Sequence, residues 1–138
     1  MKRPKIDPQT RKRLQQEKRP RVGDGATVLY WTDRAAGTVV EVSKTGHRIR
    51  IRRDKATATE GSNPFTGPQD YTYQPDPDGA EWVATIRFRY REDGSYAERE
   101  AGIVPGWEAF YKLVGYGSYQ QGGSVAVGVR DEYYDPSF

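Results

Sequence analysis

Apolar and polar residues alternate strictly in two stretches of this chain, His47 to Arg53 (HRIRIRR) and Ile86 to Arg91 (IRFRYR). A period of two marks a strand with one face on a core and the other in water. Ile49, Ile51, Ile86 and Phe88 are therefore expected inside, and the arginines between them outside. Gly23 to Asp54 reads as three short strands in succession: Ala26–Trp31, Gly37–Lys44 and His47–Arg53, with Asp33–Gly37 as a connection. Thr45-Gly46 supplies a turn in which glycine takes the positive φ angle. Further along, Lys55 to Pro68 reads as a polar loop and Asp70 to Gln74 (DYTYQ) as a short strand. Pro75 to Gly79 is a turn, and Trp82 to Arg91 is the longest strand. Asp93-Gly94 predicts a hairpin returning over Ser95–Arg99. Trp107 to Leu113 fits one or two helical turns, because Trp107, Phe110, Tyr111 and Val114 share a helical face. Gly115 to Gly123 is a glycine- and tyrosine-rich loop, Ser124 to Arg130 a final strand, and Asp131 to Phe138 an acidic, aromatic tail.

These elements predict a mainly β fold, a small antiparallel barrel or curled sheet. A long loop or short-helix insertion falls near residues 101–123. The first 21 residues break the pattern. They hold nine Lys/Arg and two carboxylates, a net of +7, whereas the rest of the chain is net −4. After Met1 their only apolar side chains are Ile6 and Leu14, so the expectation is a flexible basic arm over 1–21 on a single β-rich domain over 22–138. A short helix fits too: Asp7 is a good N-cap, Pro8 suits the first helical position, and Pro20 stops it.

Composition narrows the function classes. The 138 residues suffice for one domain with a modest core, and 10 Tyr with 3 Trp suit strands. Mean hydropathy is −0.92, and no apolar run approaches the ~20 residues of a membrane span. With no cysteine, disulfides, thiolate metal sites and cysteine nucleophiles are excluded. The same absence, with no signal-peptide pattern, points to the cytoplasm. No phosphate-cradling glycine loop, no histidine pair and no catalytic constellation can be read. His47 is the one histidine and reads as a surface residue. Asp76 and Asp78 belong to turn chemistry more than to a metal site. No reaction, cofactor or metal is implied.

Two constellations remain. Arg48, Arg50 and Arg52 on one strand, and Arg87, Arg89 and Arg91 on another, stand ~6.6 Å apart along each strand. That is near the phosphate spacing of an extended nucleic-acid strand, and arginine's planar fork suits phosphate. Arg11, Lys12 and Arg13 of the arm would add charge. The plain alternative is a solvated face neutralised by Glu41, Glu98 and Glu100. The second constellation is aromatic: Tyr30, Trp31, Tyr71 and Tyr73 near strand ends, and Trp107 with Tyr119 in the insertion. Such rings stack bases or cage a cation, or simply fill a small barrel.

Val22 to Asp54 resembles a small SH3-like barrel of the Tudor/KOW kind. The matching features are the opening Val-Gly-Asp, the strand ending in Tyr-Trp, then Gly-Thr-Val-Val-Glu-Val, and the closing Arg-Arg-Asp. The rest, including Tyr71 to Pro77 and the final Tyr-Tyr-Asp-Pro-Ser-Phe, is similar to small uncharacterised phage and bacterial proteins. The resemblance implies binding to nucleic acid, methylated side chains, proline-rich peptides or protein subunits, and does not choose among them. The leading expectation is a non-enzymatic module that engages nucleic acid or a nucleoprotein complex. The alternative is a protein-binding module, a phage-encoded inhibitor of a host factor or a small assembly component working in the host cytoplasm, using the aromatic 107–119 region.

Overall fold

The computed structural model describes residues 5–30, 33–60, 70–91, 106–115 and 122–133. The strand reading holds for most of the body. Strands β1 (Gly25–Tyr30), β2 (Arg34–Val42) and β3 (Arg48–Arg53) follow one another as an antiparallel meander. β4 (Lys55–Ala58) and β5 (Tyr71–Gln74) form a separate two-stranded sheet. β6 (Glu81–Arg91), β7 (Gly106–Leu113) and β8 (Gly122–Val127) complete a closed barrel in the order β1-β2-β3-β6-β7-β8. Among the described residues no helix is long and apolar enough to cross a membrane.

The alternation sets which face turns inward. Ile49, Ile51 and Ile86 are 1%, 0% and 3% exposed and pack with Val28, Val39, Ala84 and Leu113. Phe88, expected in the core, is only half buried at its margin. β2 begins three residues earlier than its pattern suggests, because Arg34, Ala35 and Ala36 already pair with β1. Gly37 lies within that pairing. A Cβ there would stand 2.7 Å from Ile51 Cγ2 and 2.8 Å from the Arg52 carbonyl oxygen, so only glycine allows the two strands to close.

Two segments depart from the sequence reading. Trp107–Leu113 is not helical but forms most of β7, paired with β6 from Ala84↔Leu113 to Arg91↔Gly106. The seven residues satisfy both periods. In the strand, Trp107, Ala109, Tyr111 and Leu113 share the inner face, and the long partner β6 decides the outcome. Lys55–Ala58, read as loop, is β4; its sequence KATA alternates only through two alanines, Ala56 half-buried and Ala58 exposed, and β5 supplies the pairing. The expected return strand Ser95–Arg99 lies outside the described residues, as do residues 101–105 and 116–121 of the 101–123 insertion and with them most of the Gly115–Gly123 loop.

The basic segment carries helix α1 (Pro8–Lys18). Asp7 caps it, accepting from the Thr10 amide at 2.9 Å and the Thr10 hydroxyl at 2.7 Å. Those bonds hold the Asp7 carboxyl below its ordinary value. Eleven residues are too few for a stable isolated helix, so docking must hold it. β7 and β8 pair only at Tyr111↔Val125 and Lys112↔Ser124. Beyond that point they part, and the end of α1 lines the opening together with Ala109–Tyr111 and Val125–Gly128. Leu14 is buried in the core cluster, 6% exposed, and Ile6 packs against the same cluster. These are the two apolar side chains of the basic segment after Met1, and both meet the core cluster of the barrel.

At the same mouth the buried Tyr111 hydroxyl donates to the Gly46 carbonyl at 2.5 Å, and Arg19 donates to the Lys44 carbonyl. Burial pushes the Tyr111 phenol up to about 12, against the opposing pull of the Arg19 charge. An unfolded tyrosine ionises near 10. The stability held by the neutral phenol is therefore complete below about pH 10 and lost as pH rises to about 12. Tyr111→Phe should cost about 1–3 kcal/mol, because the Gly46 carbonyl loses its buried donor. It should also abolish this alkaline limb in chemical denaturation followed from pH 8 upward.

Candidate nucleic-acid interface

Pairing between β3 and β6 joins the two arginine sets into one row. Arg52, Arg50 and Arg48 stand opposite Glu81, Val83 and Thr85, and Arg87, Arg89 and Arg91 continue the row along β6 beyond the start of β3. Much of this row is neutralised locally. Arg50 lies 3.1 Å from Glu41, Arg52 3.0 Å from Glu81, and Arg89 2.5 Å from Glu108. Arg89 also lies over the Phe110 ring at 4.9 Å. Two of these carboxylates, Glu81 and Glu108, were not foreseen; they sit across from the arginines only once the strands are paired. Among the described residues Arg48 and Arg87 have no carboxylate partner. The Arg91 side chain lies outside the described residues.

From α1, Arg11 reaches over the Phe88 ring, 5.3 Å from its centroid. Lys12 is exposed, and Arg13 pairs with Glu17 at 3.3 Å. Arg11 and Arg87 thereby meet across a groove of about 630 Å³, whose lining also includes Ile6, His47, Phe88 and Trp107. Among the described residues no carboxylate lines it. His47 is exposed, as expected, but stands at this cationic rim rather than alone. Sequence gave no sign of the convergence, since 76 residues separate Arg11 from Arg87.

The aromatic candidates do not gather into a cage among the described residues. Tyr30 packs on the core. Tyr71 and Tyr73 lie on β5, where burial first, and then the Glu132 and Asp131 carboxylates respectively, push both phenols up. Trp107 stands edge-on to Tyr90, ring centroids 5.3 Å apart at 61°, and packs against the core. Trp31 and Tyr119 lie outside the described residues. Asp76 acts in its turn, its Oδ1 accepting from the Asp78 amide at 3.0 Å.

A different polar cluster closes the far side of the barrel. Asp54, 4% exposed, accepts from the Thr38 hydroxyl at 2.7 Å and from Arg130 Nε at 2.9 Å. Glu132 accepts from the Ala36 amide at 3.0 Å and from Arg53 at 2.9 Å. Arg34 pairs with Asp131 at 2.6 Å, and its backbone bridges to Tyr133. These bonds fasten the segment after β8 across the start of β2. They explain Asp131 and Glu132 of the tail as structural.

Comparison of the chain with protein-family models, with curated proteins and with solved structures finds no match.

Proposed function

We propose that the protein is a non-enzymatic module, a small barrel of the SH3-like kind, that binds nucleic acid or a nucleoprotein complex. One observation carries the reading: Arg11 of α1 and Arg87 of β6 line a single groove with His47, and among the described residues no carboxylate lines it. A concave cationic site focuses field and attracts phosphate. The remaining arginines of the row extend the contact outward. Their ion pairs are partly exposed, and such pairs are worth ~0–1 kcal/mol, so a phosphate can exchange with a carboxylate there. The protein-interface alternative has less support, because Trp107, its central described aromatic, is already packed between Tyr90 and the core.

The test is oligonucleotide binding by fluorescence anisotropy across a salt series. Affinity should fall with a log–log slope of roughly −0.7 to −0.9 per phosphate contact. Changing Arg11 and Arg87 together to Ala should flatten that slope by about two contacts. Changing Arg50 and Arg89 should flatten it less, since both already hold carboxylates. Absence of any binding at low salt would refute the proposal.

A further inference from the structure

β6 outruns its neighbour. Its pairing with β3 ends at Arg48↔Thr85, and the last bond on that side is the Ile86 amide donating to the His47 carbonyl at 2.8 Å. In an antiparallel sheet the backbone groups of alternate residues point to the same side. The Val83 carbonyl accepts from the Val114 amide, so odd-numbered positions of β6 face β7 and even-numbered ones face β3. The amides and carbonyls of Phe88 and Tyr90 therefore point to the side that β3 has vacated. Among the described residues nothing bonds them. Backbone donors and acceptors at such a half-buried edge require water or a ligand.

This edge adjoins the groove of Arg11, His47, Arg87, Phe88 and Trp107. We infer that the groove takes a single-stranded nucleic acid, with one unpaired base against the Arg11–Phe88 pair and its hydrogen-bonding edge on the free backbone of Phe88 and Tyr90. The inference rests on the nucleic-acid reading above and specifies its ligand. The parts match the chemistry of an unpaired nucleotide. Arg87 and His47 at the rim suit phosphate. The guanidinium of Arg11, already lying on Phe88, offers a flat cationic surface on which a base stacks. Backbone amide and carbonyl groups supply the donors and acceptors that a base's Watson–Crick edge demands, and in a duplex that edge is occupied. A duplex could meet only the rim. An added peptide strand would also use a free edge, but among the described residues this one offers two alternate positions, and its cationic, aromatic surroundings favour the nucleotide.

The experiment compares three labelled probes with the full chain at one low salt concentration: a short mixed-sequence single strand, its duplex, and the same backbone made abasic. The single strand should bind about 5- to 100-fold tighter than either of the others, the range that stacking one base supplies. Phe88→Leu, which keeps an apolar side chain in place, should lower single-strand affinity about 10-fold and leave the salt slope unchanged. Hydrogen exchange should show the Phe88 and Tyr90 amides protected by the single strand and not by the duplex. Equal affinity for all three probes would overturn the inference while leaving the phosphate-binding reading intact. No binding of any probe would remove both. Protection of these amides by an extended acidic peptide, with none by the oligonucleotides, would reassign the edge to a protein ligand.

Discussion

Leu14→Ala should lower unfolding stability by about 2–5 kcal/mol, the range for emptying a buried leucine site. Leu14 is the buried residue of α1, and it belongs to the core cluster of the barrel. The helix cannot persist alone at this length, so the loss is cooperative: the core gains a cavity and α1 loses its anchor. Three readouts should change together in the variant. The denaturation midpoint should drop, helical circular dichroism should fall, and oligonucleotide affinity should decline because Arg11 no longer lies over Phe88. Leu14→Met, which nearly conserves volume, should cost less than about 1.5 kcal/mol and keep binding. A Leu14→Ala change within about 0.5 kcal/mol of the parent, the scale of ordinary surface substitutions, would show that the helix does not dock in solution.

Asp54→Ala should cost about 3 kcal/mol, because it removes two bonds to a buried carboxylate and leaves Arg130 and Thr38 without their acceptor. The Asp54 side chain is 3% exposed and that of Arg130 35%, so the guanidinium recovers some water and the loss stays below that of a fully buried pair. The effect should spread beyond the site. Arg130 also packs over Gly25, where a Cβ would meet its Nη1 at 2.8 Å, so the segment after β8 should loosen as a unit. Hydrogen exchange at Arg34 and Tyr133, whose backbones bond each other at 2.9 and 3.0 Å, should report it. A double-mutant cycle of Asp54→Ala with Arg130→Ala should return a coupling of about 1–3 kcal/mol. Coupling near zero would mean that the pair contributes geometry without energy.

The periodic segments were legible because their face assignment is local. In β3, Ile49 and Ile51 alternate with arginines, and a one-residue slip would bury the charges, so only one register is open to the chain. The cap of α1 was legible for the same reason: Asp7, Pro8 and Pro20 act within one turn of themselves. Trp107–Leu113 was not, since its apolar residues satisfy two periods and only pairing with β6 selects one. Lys55–Ala58 alternates only through alanines too small to mark a core face, and pairing with β5 makes it a strand.

The charges divide in the same way. The sequence by itself determined that Arg48, Arg50 and Arg52 on β3 and Arg87 and Arg89 on β6 stand outward, because a one-residue slip would bury them in place of the isoleucines. It could not determine which of them are free. Glu81 and Glu108 reach Arg52 and Arg89 only through strand pairing, and Arg11 reaches Phe88 only because α1 docks on the barrel through Leu14. Local pattern decides the direction of a side chain relative to its own backbone. What that side chain meets depends on chain closure over tens of residues, and the groove between Arg11 and Arg87 exists at that level alone.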